Sequence, residues 1–233
     1  MLSLDCNNCK FSSNCLYSKI KLEQVRQKWN KYKRTCSYRN GDIIYNEGDV
    51  PTAIYNVCKG RVKISRSSAS GENIIIWIKN PGSMFGYYSL CRNELHKSSS
   101  KSMGDTIIST FPKDFFVDLL KSDFEFTLEI IKGFCSDILY LQTRLSNMAY
   151  KTAEEKIASV LINHISFSTK NTKTPYVYNL KRTEISEIAG LRIETVVRTL
   201  QKFEKRKIIK REQNSIKILS IDDLLKISNT NNN

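Results

Sequence analysis

Three cysteines stand close together near the start of the chain, in the stretch DCNNCKFSSNC at residues 5–15. The spacing of Cys6, Cys9 and Cys15 is C-x2-C-x5-C. Thiolates can bind an iron–sulfur cluster or zinc, or can act as redox-sensitive groups. The chain has seven cysteines, an odd number, and its start shows neither the basic nor the apolar region of a secretory signal. We therefore expect reduced thiols in the cytoplasm and no disulfide framework.

A second group of chemically specific residues lies in LRIETVVRTLQKFEKRK, at residues 191–207. On a helix over about 193–205, Glu194, Val197 and Arg198 share one face, because they are three and four positions apart. The N-terminal residues of such a helix can reach base edges in the major groove of DNA. Glu accepts from cytosine N4, Arg donates twice to guanine, and Val can contact a thymine methyl group. This pattern predicts base readout, and its alternative is a solvated Glu–Arg ion pair.

The charge distribution favours a polyanionic partner. The net charge is +14, with fourteen Lys and Arg against six Glu in residues 151–211, and nine against one in residues 10–40. Such fields attract nucleic acid first and an anionic membrane surface second. The basic side chains around the readout helix are predicted to contact DNA phosphates, and they are Lys181, Arg182, Arg192, Lys202, Lys205 and Arg206.

The elements that position these residues differ between the two halves of the chain. Residues 41–111 hold seven of the nine glycines between short β-rich runs, which is typical of an antiparallel sandwich or barrel. At residues 152–155, Thr152 and Glu155 form the pattern of a capping box that begins a helix. Residues 179–211 then predict a helix, a tight turn at Gly190, a second helix and a β-hairpin, which together make a winged helix-turn-helix. The fold class is therefore α+β.

A long apolar stripe follows Pro112, with steps of three and four residues that indicate a helix. The stripe extends over about six helical turns, which is long for a helix that only covers its own domain. We predict that it forms the seam of a homodimer, and the alternative is packing against the β-domain. The seam residues are Phe126, Ile130, Phe134, Ile138, Leu141, Leu145 and Met148.

The order of these parts resembles the CRP/FNR regulators of bacterial transcription over about residues 20–228, and most of all FNR-like members of the kind found in Bacteroidetes. The resemblance is carried by NGDIIYNEGDVPTAIYNVCKGRVKI, GENIIIWIKNPGSMFGYYSL and EISEIAGLRIETVVRTLQKFEKRKII. It implies an N-terminal β-roll, which is a jelly roll like that of cyclic-nucleotide-binding domains. It also implies a long dimerisation helix and a winged helix on a palindromic operator, with RNA polymerase as a further partner. Glu194 and Arg198 match the base-reading positions of the family.

The resemblance also divides the chain into segments. We expect a cysteine-containing arm at 1–19, a β-roll sensor domain at 20–120 and a dimerisation helix at 121–150. A DNA-binding domain at 151–228 and a disordered tail at 229–233 follow. No Cys–His pair or paired carboxylates suited to catalysis stand out, so we do not expect an enzyme. No apolar run is long enough to span a membrane, and we expect no membrane partner.

The chain departs from the family pattern in three respects, which concern base readout, helix capping and ligand binding. Val197 stands where the family has Ser, and Lys181 and Arg192 stand where Ser or Thr usually caps a helix. Cyclic-nucleotide-binding members carry a Gly-Glu pair for the ribose, whereas Gly86 is followed here by Tyr87. A missing ribose carboxylate argues against cAMP or cGMP as the ligand.

FNR-type oxygen sensors carry the spacing of Cys6, Cys9 and Cys15 and a fourth cysteine in the β-roll, which together bind a [4Fe–4S] cluster. The position that corresponds to the fourth cysteine is Ile108 here. The remaining candidates are Cys91, Cys58, Cys36 and Cys135, and an oxygen ligand is a further alternative. We favour Cys91, because we expect its stretch to be a loop, and we interpret Cys58 and Cys135 as small buried hydrophobic residues.

Several readings of function stay open at this point. Zinc at the arm, direct thiol redox sensing and an arm without metal are alternatives to the cluster. A regulator with an unknown small-molecule effector in the β-roll is a second possible function. A third is a thiol-based redox or metal-binding protein that uses its basic faces for non-specific binding to nucleic acid or a membrane surface.

Overall fold

The computed structural model describes residues 5–9, 11, 15–167 and 175–229. They divide into two compact units, residues 1–138 and residues 139–233. The division falls inside the longest helix, so the predicted dimerisation helix belongs partly to each unit. The predicted tail at 229–233 lies outside the described residues except for Asn229.

The first unit contains a six-stranded antiparallel sheet, as the glycine-punctuated runs predict. Two long strands, β3 and β6, form its centre, in the order β1-β6-β3-β4. The short strand β2 pairs with β6, and β5 pairs with β3. The strands are β1 (Arg34–Tyr38), β2 (Ile43–Tyr45), β3 (Ala53–Ser67), β4 (Asn73–Lys79), β5 (Met84–Phe85) and β6 (Ser99–Pro112).

Strand β3 is irregular where it passes β6. The pairing register shifts between Val57 and Lys59 and again between Lys59 and Arg61, so β3 bulges here. Gly60 adopts φ +80°, and a Cβ atom at this position would lie 2.5 Å from the Asp105 carbonyl oxygen. Only glycine can therefore occupy the bulge without moving one strand away from the other.

Helices and a 3-10 turn flank the sheet of the first unit. The 3-10 turn is Leu16–Lys19, and the helices are α1 (Glu23–Tyr32), α2 (Tyr87–Arg92), α3 (Lys113–Ser122) and α4 (Phe124–Tyr150). Helix α1 buries Val25 and Trp29, and the Trp29 ring lies 4.1 Å from that of Phe111 on β6. The predicted arm is thus continuous with the packed structure, because Tyr17 within it is also buried.

Two hydrophobic clusters lie on opposite faces of β3. The first, which we call the roll interior, consists of Tyr45, Tyr55, Val57, Val62, Ile64, Phe85 and Ile108. The second, which we call the arm-side core, joins the start of the chain to α3 and α4 and consists of Tyr17, Ile20, Val25, Trp29, Ile54, Met84, Leu90, Phe111, Phe115, Phe116, Leu119, Phe126 and Ile130. Alternate residues of β3 enter different clusters, as expected for a strand with two covered faces.

The apolar stripe of α4 does not have one uniform role. Phe126 and Ile130 are buried in the arm-side core, and Phe134 contacts the Tyr87 ring at 4.8 Å. The prediction of a dimer seam is therefore wrong for Phe126 and Ile130, because their own chain already covers them. The remaining seam residues are exposed at Ile138 (55 %), Leu141 (41 %) and Leu145 (70 %), and partly buried at Met148.

The second unit is a bundle of short helices with a four-stranded sheet, in the order β7-β8-β10-β9. Gly190 ends helix α6 in the left-handed conformation at φ +63°, which forms the predicted tight turn. The capping box is confirmed, since Thr152 and Glu155 exchange hydrogen bonds at the start of α5. The elements are α5 (Ala153–Asn163), β7 (Ser166–Phe167), β8 (Pro175–Tyr178), α6 (Arg182–Ala189), α7 (Ile193–Lys205), β9 (Ile209–Arg211), β10 (Ser215–Ile218) and α8 (Ile221–Ser228).

Candidate functional site

Helix α7 has the two faces that a DNA-reading helix needs. Val196, Leu200 and Phe203 are completely buried and form the inward stripe of the helix. Glu194 and Arg198 are exposed on the other side, and Val197 between them is partly exposed. Because the buried stripe fixes the rotation of the helix, the predicted readout residues point into solvent together.

The exposed pair on α7 is available to a ligand. Within the residues that the structure describes, Glu194 and Arg198 form no ion pair with each other and no hydrogen bond through their side chains. The alternative interpretation, an internal Glu–Arg ion pair, is therefore not what the chain adopts. The carboxylate and the guanidinium group lie one helical turn apart, and each can meet a base edge.

Basic residues begin both helices of the turn. Lys181 is the N-cap of α6 and Arg192 that of α7, and neither side chain caps its helix. At α6 the Glu184 carboxylate compensates by accepting the Lys181 backbone N–H at 2.9 Å. All six of the predicted phosphate contacts are exposed, and among the described residues four of them form no ion pair: Lys181, Arg182, Arg192 and Lys205.

The other two predicted phosphate contacts are engaged within the chain. Glu154, in the first turn of α5, forms ion pairs with Lys202 and, at 3.5 Å, with Arg206. An ion pair that remains in the complex would reduce the positive charge these two residues offer to DNA. Glu154 was not among the site residues predicted from the sequence, because it lies 48 residues before Lys202.

A further ion pair, between Glu204 and Arg211, attaches the hairpin of β9 and β10 to α7. The Glu204 carboxylate accepts the Arg211 backbone N–H at 2.9 Å and the Arg211 Nε at 2.7 Å. These hydrogen bonds hold the pKa of Glu204 below its usual value. The wing, formed by β9 and β10, is therefore held in place relative to the readout helix.

The seven cysteines separate into two classes. Cys36, Cys91 and Cys135 are exposed, whereas Cys6, Cys9, Cys15 and Cys58 are partly buried, and none is in a disulfide. Two interpretations from the sequence are wrong here. Cys91 lies on helix α2 and not in a loop, and neither Cys58 nor Cys135 is fully buried.

Cys58 lies beside the arm. The Cys15 thiol donates to Asn56 Oδ1 at 3.8 Å, and Asn56 Nδ2 donates to Cys58 Sγ at the same distance. A single side-chain amide thus separates the two sulfur atoms. Cys58 Sγ also lies 3.0 Å from the Ser109 hydroxyl on the neighbouring strand β6. The buried Asn56, at 4 % exposure, holds this arrangement in place.

Ile108, which corresponds to the fourth cysteine of the family, faces away from the arm. Its side chain is completely buried in the roll interior beside Val57. Cys58 follows Val57 and faces the opposite side of the sheet, where the arm packs. The alternation of side chains along β3 could have found Cys58, because residues 54 and 56 share its face.

The thiols of the arm influence one another electrostatically. Burial, together with smaller effects of the neighbouring Cys6, Cys58 and Cys9, raises the pKa of Cys15 to about 11, against a hydrogen bond from the Tyr17 backbone that lowers it. Burial also raises the pKa of Cys58, against hydrogen bonds from Ser109 and Asn56. The thiols of Cys15 and Cys58 are therefore protonated at neutral pH, and any metal that bound them would have to displace their protons.

Among the described residues, the arm thiols are not arranged as a site for a single metal ion. In the part of the chain that the structure describes, no three Cys, His, Asp or Glu side chains lie close enough to hold one metal ion. In a four-iron cluster each cysteine binds its own iron atom, so the sulfur atoms lie further apart than around zinc. Lys33 Nζ lies 3.1 Å from Cys6 Sγ and supplies a hydrogen-bond donor beside this group.

Tyr87, which stands where the ribose carboxylate would be expected, belongs to an internal hydrogen-bond network with Asp137 and Lys79. The Tyr87 hydroxyl donates to Asp137 on α4, and Lys79 Nζ lies 3.2 Å from both carboxylate oxygens. Burial raises the pKa of Tyr87 and lowers that of Lys79. The phenol that replaces the carboxylate is thus bound by its own chain.

Comparisons with known proteins agree with this architecture. Residues 35–123 match the family model of the cyclic nucleotide-binding domain, and residues 155–227 match that of the Crp-like helix-turn-helix domain. Among the helices that the structure describes, none has the length and apolarity needed to cross a membrane.

Full-length relatives are regulators. The chain is 23 % identical to the "Anaerobic regulatory protein" of Aggregatibacter actinomycetemcomitans, over 99 % of this chain and 90 % of that protein. It is 26 % identical to "Regulatory protein HlyX" of Actinobacillus pleuropneumoniae, over 95 % and 93 %. The solved structure of FixK2 from Bradyrhizobium japonicum superposes with a TM-score of 0.74 at 20 % identity, over 84 % of this chain and 96 % of that one. With both domains in the family's order and a described readout helix, the chain belongs to the CRP/FNR family of DNA-binding transcriptional regulators.

Proposed function

We propose that this regulator binds a palindromic operator as a homodimer and controls transcription by RNA polymerase in the cytoplasm. We further propose that an iron–sulfur cluster at the arm makes this binding depend on oxygen or redox state. The observation that carries the DNA part is the exposed Glu194–Arg198 pair on a helix whose opposite face is fully buried.

Base readout is assigned to Glu194, Val197 and Arg198. An exposed carboxylate on a strongly basic surface repels phosphate, so its presence favours contact with a base over non-specific binding. The exposed Lys181, Arg182, Arg192 and Lys205 then contact phosphates and set the register. Lys202 and Arg206 take part to the extent that DNA phosphates compete with Glu154.

The dimer is assigned to the C-terminal part of the α4 stripe. Ile138, Leu141 and Leu145 remain exposed after the chain has covered the first residues of the stripe. Exposed apolar residues at steps of three and four along one helix are typical of a coiled-coil seam. A two-fold dimer presents two copies of α7, which explains why the operator is expected to be palindromic.

The cluster is assigned to the arm with its three cysteines. Relatives with the name "Anaerobic regulatory protein" match almost the whole chain. When bound, such a cluster supplies one-electron redox chemistry whose potential depends on hydrogen bonds to the sulfur atoms. Lys33 and Asn56 are placed to donate such hydrogen bonds.

The arm has a structural route to α4. Cys6 and Cys15 pack against the arm-side core, which also contains Phe126 and Ile130 from the start of α4. A change in the arm therefore changes the packing of the residues that anchor this helix. We propose that loss of the cluster loosens this anchor and weakens the dimer.

The test is anaerobic purification followed by binding to labelled DNA. We expect visible absorption with stoichiometric iron and sulfide, tighter binding to a palindrome selected from random sequences than to its scrambled form, and weaker binding after exposure to air. Equal affinity for both duplexes would contradict specific regulation. Colourless protein without iron would end the cluster part and leave the DNA part standing.

A further inference from the structure

The proposed cluster has no fourth ligand assigned to it so far. Cys6, Cys9 and Cys15 supply three thiolates, and a [4Fe–4S] cluster normally needs four protein ligands. We infer that Cys58 on β3 is the fourth ligand, in place of a cysteine on β6. This inference rests on the proposed cluster and replaces our sequence-based preference for Cys91.

The burial of the cysteines distinguishes Cys58 from its competitors. Cys36, Cys91 and Cys135 are exposed and lie on β1, α2 and α4. Only Cys58 among the cysteines outside the arm is partly buried, as the three arm cysteines are. A cluster ligand is expected to lie beneath the segment that covers the cluster, because solvent exposure makes a cluster labile and shifts its potential.

The distances place Cys58 next to the arm. The Asn56 amide contacts Cys15 Sγ on one side and Cys58 Sγ on the other, at 3.8 Å each. Among the described residues, Cys91 has no comparable hydrogen-bonded contact with the arm, and it is exposed.

Strand β3 offers a rigid platform for this ligand. It is paired with β6 from Ala53 to Ser65, and the bulge at residues 57–61 includes Cys58. A bulged residue lacks a regular partner, and bulges commonly redirect a side chain at functional positions. A ligand on the paired strand therefore has a fixed position relative to the sheet.

Two polar groups lie within hydrogen-bond distance of the Cys58 sulfur atom. The Ser109 hydroxyl lies 3.0 Å from Cys58 Sγ, and Nδ2 of the buried Asn56 lies 3.8 Å from the same sulfur atom. Both can donate hydrogen bonds to a thiolate, which stabilises its charge and raises the reduction potential of a cluster. The same residues are thus arranged for a thiolate ligand and not only for a neutral thiol.

The experiment compares anaerobically purified full-length wild type, Cys58→Ser and Cys91→Ser. Iron, sulfide and visible absorption are measured for each, with circular dichroism and binding to random DNA as controls for folding. We expect about four irons per chain in the wild type and in Cys91→Ser. Cys58→Ser should retain less than a tenth of this iron while it still folds and binds DNA non-specifically.

The possible outcomes separate the inference from the proposal on which it rests. Wild type without iron contradicts the proposed cluster itself. Wild type with a cluster that persists in folded Cys58→Ser overturns the role of Cys58 alone. Loss of iron in Cys91→Ser with retention in Cys58→Ser restores the sequence-based preference.

A second measurement decides the matter if Cys58→Ser does not fold. Wild-type protein is alkylated anaerobically with iodoacetamide before and after the cluster is removed by a chelator, and each cysteine is quantified by mass spectrometry. We expect Cys58 to react at least tenfold more slowly with the cluster present, in parallel with Cys15, while Cys91 reacts equally in both states. Equal reactivity of Cys58 in both states overturns the inference.

Discussion

The readout helix and the cysteine site are built in opposite ways. On α7 the functional residues lie within five consecutive positions, and they point into solvent because the other face of the same helix is buried. At the cysteine site the groups come from the arm and from β3, and they meet against the arm-side core. One site is assembled by local helix geometry and the other by tertiary packing, so they should respond differently to substitution.

The largest effect is expected at the buried site. Cys15→Ser removes a proposed ligand that contacts Asn56, so anaerobically purified protein should lose more than nine-tenths of its iron. Cys36→Ser is the matched control, because this cysteine is exposed on β1. Equal iron in both variants would show that the arm is not the site of the cluster.

Helix α4 contains both a residue buried in its own chain, Phe126, and a residue exposed to solvent, Leu145. Substitutions at these two positions test the comparison directly. Phe126→Ala creates a cavity in the arm-side core and should lower the free energy of unfolding by about 3–5 kcal/mol. Leu145→Ala, at a residue 70 % exposed, should change the stability of the chain little but weaken dimerisation, as measured by analytical ultracentrifugation. Comparable losses of stability in urea titrations of the two variants would mean that the stripe has one role after all.

At the exposed site the expected loss is smaller and specific. Arg198→Ala should cost about 1–3 kcal/mol of binding free energy on the selected palindrome and little on random DNA, in fluorescence anisotropy titrations. Lys205→Ala is the control for a phosphate contact. It should weaken binding to both duplexes similarly and reduce the slope of log K against log salt by about one. An equal loss on both duplexes for Arg198→Ala would remove its role in base readout.

The smallest effect is expected at Glu154. Glu154→Gln releases Lys202 and Arg206 from their ion pairs and should strengthen binding to both duplexes about two- to fivefold, with a steeper dependence on salt. Glu155 would be a misleading comparison because it caps α5, so Glu212→Gln on the hairpin loop serves as the control. Unchanged affinity and salt dependence would show that DNA does not contact these two cations.

The parts that depend on local geometry were predictable from the sequence. The bounds of α7, its buried stripe and the capping box at Thr152 all follow from spacing within a few residues. The β-domain was predictable from glycine spacing, because turns are local too. The outcome for Phe126 and Leu145 was not predictable, since the same helical period describes a residue that faces its own core and one that faces a partner.

The position of Cys58 was missed for a related reason. It is 43 residues from Cys15 in sequence, and its relation to the arm depends on which face of β3 carries it. Alternation places Cys58 on the same face of β3 as Ile54 and Asn56, but the sequence alone does not tell which face of the strand the arm covers. Glu154 was missed likewise, because an ion pair between two helices leaves no spacing pattern within either of them.

The cross-strand contact between Cys58 and Ser109 also bears on how such regulators are sorted into sensors and non-sensors. Residues on adjacent strands occupy nearly the same place although they are far apart in an alignment, here by 51 positions. Cys58 and Ser109 are in contact across the strands, whereas Ile108 faces the roll interior, so a thiol at residue 58 or at residue 109 would lie at nearly the same place. A comparison that requires a cysteine in one alignment column would pass over Cys58, whereas a comparison of neighbours in space would include it.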